Sequence, residues 1–227
     1  MRSLRWPALI LAVCLGLSPA CLAAAKPKVH AVGLGAAKRV PYSAQGDPAG
    51  AVAGETELRV RPLIVDSKIK EWTTGEVHNV TDRSFAVRRA LRLNDALPTD
   101  KAEHWVWQRG PWLLVDRTIG HVTALHLPDY DPAVSEVVWF RDYAAYCGLS
   151  SGSKQLDAVV AQIPARKPIL FKKLGAWNPA DHPSPACSAA AWQRDPLRIT
   201  FHPAGMDEIS FDLVGLSAVL VEDGDED

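Results

Sequence analysis

The chain has 227 residues, 48% hydrophobic and 22% charged, with a formal net charge of -1; aromatic residues make up 7%, and eight of them are tryptophans. This balance lacks the basic field that nucleic-acid binding requires. The length suffices for one domain with a substantial core.

The chain opens MRSLRWPALILAVCLGLSPACLAAAKPKV. Arg2 and Arg5 precede an apolar run over 6–17, and small residues follow at Ala20, Ala23, Ala24 and Ala25. This order reads as a signal peptide spanning 1–25, with cleavage after Ala25 and delivery to the periplasm or the extracellular space. The run is broken by Pro19 and is too short for a stable transmembrane span. Ser18 and Pro19 fit poorly before a lipid-modified cysteine, so Cys21 is expected to leave with the signal, as is Cys14. Loss of Arg2 and Arg5 takes the formal charge from -1 to -3.

Residues 26–54 mix glycine, alanine and proline without an apolar period, and are expected to form a flexible linker. A mainly β domain is expected over 55–222, and an acidic tail over 223–227. In ELRVRPLIV (57–65), Leu58, Val60 and Ile64 share one parity, and Pro62 suggests an edge or interrupted strand. Asp66-Ser67 is a turn candidate. SFAVRRALRL (84–93) places Phe85, Val87, Leu91 and Leu93 on one side, with Arg88 and Arg92 opposite. A strand fits this alternation, although a short helix fits its alanine, leucine and arginine content.

EHWVWQRGPWLLVDRTIGHVTAL (103–125) carries three tryptophans. Three short antiparallel strands are expected, at 104–108, 112–116 and 121–127, with turns at Arg109-Gly110-Pro111 and at 117–120. Trp105 and Trp107 then share a face, and Val106 points away. Further on, EVVWF (136–140) turns through Arg141-Asp142 into YAAYC (143–147), while KQLDAVVAQI (154–163) suits a strand or a short helix. ILFKKL (169–174) follows a turn. The proline-rich 175–196 reads as a loop, and LRITFHP (197–203) and ISFDLVGLSAVLVE (209–222, bent at Gly215) restore strand character.

WLLVDRTIGHVTAL resembles a blade hairpin of a β-propeller, and SEVVWFRDYAAYC has the same look. Neither carries the Gly-His and Trp-Asp signature of WD40 repeats, and the chain repeats too little for four blades. The resemblance therefore implies paired strand-turn-strand units without a closed ring. The fold class expected is a single-domain antiparallel meander, curled sheet, barrel or sandwich with a flexible N-terminal segment.

Cys147 and Cys187 are the pair left after signal removal, and an oxidising compartment makes a disulfide their expected state. Trp105, Trp107, Arg109 and Trp112 are the candidate partner-binding residues, because rigid rings beside a guanidinium suit a peptide or sugar surface. A β-meander also needs large core residues. Most of this cluster is expected to build the fold, with at most one or two rings meeting a partner, and Trp139 is expected in the core.

The histidines (His30, His78, His104, His121, His126, His182 and His202) form no compact metal signature. His202 joins an ion site only if a turn brings it to Asp207 or Glu208. Asp129-x-Asp131 reads as a turn with too few ligands for calcium. Ser151-Gly152-Ser153-Lys154 matches the bare S-x-x-K spacing of serine acylases but lacks companion motifs. Asp116 and Asp142 are the weak carboxylate candidates for a hydrolase. No catalytic set, metal site or cofactor motif is assigned. The expected function is a noncatalytic, envelope-associated binding or scaffold module for a protein or peptide. A secreted hydrolase and a glycan-binding module are the alternatives.

Overall fold

The computed structural model describes residues 30–45, 50, 52, 54–150, 152, 154–163, 168–178 and 185–221. The expected signal peptide and acidic tail lie outside the described residues, as do Ser151, Ser153 and His182.

The described residues are mainly β and antiparallel, in three sheets that pack as one domain without closing a barrel. The first sheet has the order β1-β3-β4-β5-β6-β7, with β2 also on β3. Its strands are β1 (Val32–Leu34), β2 (Lys38–Pro41), β3 (Glu57–Val65), β4 (Lys68–Thr81), β5 (Ser84–Asn94), β6 (Trp105–Asp116) and β7 (Val122–Ala124). The second is a meander of β8 (Val138–Phe140), β9 (Tyr143–Ser150), β10 (Gln155–Gln162) and β11 (Pro168–Ala176). The third is a meander of β12 (Cys187–Gln193), β13 (Arg198–Pro203), β14 (Ile209–Val214) and β15 (Ser217–Leu220). Both segments that resemble blade hairpins form hairpins, β6–β7 and β8–β9. Among the described residues, no helix is long and apolar enough to cross a membrane.

The second sheet is the middle layer. Ala144, Tyr146, Val159 and Ala161 pack against Val80, Ala86 and Trp112 of the first sheet. Ala145, Cys147, Ala158 and Val160 face Ile199, Phe201, Phe211 and Leu213 of the third. Burial on both faces explains why YAAYC and LDAVVA read as unbroken small and apolar runs. The Cys147–Cys187 disulfide (S–S 2.07 Å) joins β9 to β12 inside this core.

The first sheet is long enough to bury opposite faces at its two ends. Leu58 and Val60 of β3 and Ala90 of β5 join Val40, Tyr42 and Trp107 in one cluster. Leu63, Phe85, Val87, Leu113 and Val115 form another with the edge strands β1 and β7. Alternation puts Val60 and Leu63 on opposite faces, and likewise Val87 and Ala90. The single-face readings of β3 and β5 are therefore corrected: Ile64 is half-buried and Leu93 is exposed, while Arg88, expected outward, is buried against the Gly110 carbonyl and Glu136.

Three further expectations are revised. The segment expected as a linker supplies β1 and β2, because Val32, Leu34, Val40 and Tyr42 complete clusters the longer strands leave open. Arg109-Gly110-Pro111 is no turn; β6 runs through it, and the ladder to β5 shifts between Arg88 and Ala90. A bulge absorbs the extra residue there, and Leu91 occupies the space a Gly110 side chain would need. The loop expected over 175–196 contains β12, which pairs with β13. Both segments that allowed a helix, 84–93 and 154–163, are strands, held by ladders on each side.

Candidate functional site

The three sheets meet at a cleft of about 440 Å³ lined by His78, Trp139, Phe140, Arg141, Arg194 and Leu197. β4 supplies His78, β8 supplies Trp139 and Phe140, and the β8–β9 turn supplies Arg141. Arg194 and Leu197 come from the turn between β12 and β13. Arg141 holds a left-handed backbone (φ 52°), which lets a two-residue turn with Asp142 close the hairpin.

The rings are packed onto one another. His78 stacks on Trp139 at 5.0 Å between centroids, and the edge contact of Trp112 with Trp139 is 5.1 Å. Phe140 stacks on Trp192 at 5.4 Å, and the Trp192 Nε1–H donates to the Val138 carbonyl at 3.2 Å. The Arg141 and Arg194 guanidinium carbons stand 5.2 and 6.0 Å from the Phe140 centroid. His78 Nε2 donates to the Arg141 carbonyl at 2.5 Å, joining the first sheet to the turn of the second. Among the described lining residues His78 is the one proton-transfer group, and that nitrogen is committed to backbone.

The four residues singled out by sequence lie elsewhere, and the structure does not gather them into one surface. Trp107 (7% exposed) sits in the cluster with Val40 and Val60, in edge contact with Trp72 at 5.8 Å. Trp112, also 7% exposed, is buried between the first and second sheets. Arg109 donates to both Glu55 carboxylate oxygens (2.9 and 3.1 Å) and to the Tyr42 hydroxyl (2.8 Å), pinning the start of β3 to β6. Trp105 is exposed (39%); Arg92 lies over its ring, and its Nε1–H donates to Glu103. Trp139, expected in the core, is half-buried at the cleft wall.

A second, polar recess of about 240 Å³ includes Glu55, Arg61, Thr74, Glu76 and Arg109. Its two innermost cations are held internally: Arg109 as above, and Arg61 by the Gly35 and Leu34 carbonyls.

The catalytic candidates are likewise occupied by local structure. Asp116 accepts from the Thr118 and Ile119 amides at 2.7 and 3.1 Å, and these bonds, that from Ile119 first, hold its carboxyl below the ordinary value. Asp142 accepts from Gln162 Nε2 at 2.9 Å. Asp157 is fully buried beside the Ser150 hydroxyl, and burial pushes its carboxyl up. His30, His104 and His202 each meet one carboxylate, on Asp66, Asp95 and Glu208 respectively. Among the described residues, no three potential ligands converge on a metal position.

The sequence pattern marks none of His78, Phe140, Arg141, Arg194 and Leu197 as partner-binding: His78 reads as one of the histidines outside any metal signature, and Arg141 as a turn residue. The available signal was an arginine at or just past a strand end, close behind an aromatic, in Phe140-Arg141 and again in Trp192-Gln193-Arg194. No family model, curated protein or solved structure matches the chain.

Proposed function

We propose that the chain is an exported, noncatalytic module that binds a protein or peptide in the cell envelope, with the three-sheet cleft as its recognition surface. The observation that carries this reading is the cleft's composition: packed aromatic walls under two exposed arginines, drawn from all three sheets. Desolvated rings next to arginine are what protein-binding hot spots are made of. A flat sugar instead stacks on an open ring face, and here His78 covers a face of Trp139 while Trp192 covers a face of Phe140. Export is supported by the charged, apolar and small-residue order of 1–25 and by the buried disulfide, which fits an oxidising compartment.

Photo-crosslinking in intact cells tests the site. A photoreactive residue at Leu197 should give one discrete adduct with an envelope protein or peptide, whereas the same residue at Ile119, exposed and outside the cleft, should give none. Adducts of equal yield from both positions, or from Ile119 alone, would remove the cleft from the account.

A further inference from the structure

We infer that the cleft takes an acidic peptide in extended form, with Arg141 and Arg194 each receiving a carboxylate; this rests on the binding reading above. The charge pattern of the arginines is the starting point. Among the described residues, Arg39, Arg88, Arg89, Arg109 and Arg198 each face a carboxylate of the chain itself. Arg141 and Arg194 have no such partner among the described residues, both are exposed, and both converge on one phenylalanine. Among the described residues, no Asp or Glu lines the cleft. Asp142, next in sequence to Arg141, is engaged by Gln162.

Phe140 has a positioning role. A guanidinium held against a ring loses part of its rotational freedom while its N–H edge stays open, and that edge matches a carboxylate in a two-point hydrogen bond. Trp192 stacks on the ring, and the Val138 carbonyl accepts from Trp192 Nε1–H. Both guanidinium carbons lie within 6.0 Å of one centroid. Two acidic side chains on the same side of an extended peptide are two residues apart, about 7 Å. The two guanidinium carbons are at most about 11 Å apart, a gap within reach of the two flexible side chains of an acidic-x-acidic segment, whose apolar flanks have Leu197 and Trp139 to lie against.

The test is a calorimetric titration of the full mature chain with two peptides of equal length, one carrying Glu-x-Glu between apolar residues and one carrying Gln-x-Gln. The glutamate peptide should bind at least tenfold tighter at 50 mM salt, and that advantage should shrink at 500 mM. Arg141→Gln together with Arg194→Gln should abolish the advantage. Arg59→Gln, which alters an exposed arginine outside this cleft, should keep it. Near-ultraviolet circular dichroism verifies that each variant is folded, and Arg141→Lys with Arg194→Lys, which keeps the charge, should retain part of the preference. Equal binding of the two peptides overturns the acidic-ligand assignment and leaves the cleft as a peptide site. Failure of both peptides to bind also overturns it, while the crosslinking result stands or falls separately. A preference that survives the double Gln substitution overturns the role of the two arginines.

Discussion

At the scale of single residues, burial separates tryptophans that sequence alone treats alike. Trp107→Ala would empty a cluster shared with Val40, Tyr42, Leu58 and Val60, and should cost about 3–5 kcal/mol in urea unfolding. Trp105→Ala, at an exposed strand end, should cost under about 1 kcal/mol. Equal losses would contradict the burial described. Asp157 gives a prediction of opposite sign. Burial raises its carboxyl, with Asp129 adding to the rise; Ser150 and Lys173 oppose it. The folded chain thus holds this proton more tightly than the unfolded chain does. The associated stability is complete below the ordinary aspartate value near 4, and is lost as pH rises through the raised folded value. Asp157→Asn removes the charge and keeps a partner for the Ser150 hydroxyl. It should raise Tm at pH 7 and leave Tm unchanged near pH 3. A lower Tm at pH 7 would show that the carboxylate is favourably held.

At the scale of elements, the disulfide links the middle sheet to the third across a sequence separation of 40 residues. Closing a loop of that length restricts the unfolded chain by about 4 kcal/mol. Cys147→Ala with Cys187→Ala should therefore lower Tm by about 8–16 °C in calorimetry; a loss of only 1–2 °C would mean that the bond adds little to the packing around it. This pairing could be read from sequence because, with Cys14 and Cys21 assigned to the expected signal, the two remaining cysteines permit one connection. The hairpin at 136–147 could also be read, since a polar turn separates its apolar runs, and Gly215 marked a bend or interruption at what is the β14–β15 turn. β6 could not. Arg109-Gly110-Pro111 has turn chemistry, and only the opposing register of β5 reveals a bulge in a continuous strand. β1 and β2 were hidden for a related reason. Three- and four-residue strands have no period of their own, and they exist because β3 offers an edge. The parity of β3 and β5 misled because each strand buries a different face at each end.

At the scale of the whole molecule, the layering decides where recognition can occur. The middle sheet is covered on both faces, so its accessible features are its ends and edges, and the cleft lies at its β8–β9 turn, beside the β12–β13 turn of the third sheet. Its parts are far apart in sequence, from His78 to Leu197, which is why local pattern could find the arginines' neighbours but not the site. The proposed partner is met here and not at the tryptophan-rich hairpin. The most direct test is a titration of the ¹⁵N-labelled chain with the Glu-x-Glu peptide, following the indole N–H resonances assigned by Trp→Phe substitution. The account predicts shifts at Trp139 and Trp192, which form and support the cleft wall, with Trp105 unmoved. Shifts at Trp105 with Trp139 and Trp192 unmoved would contradict it.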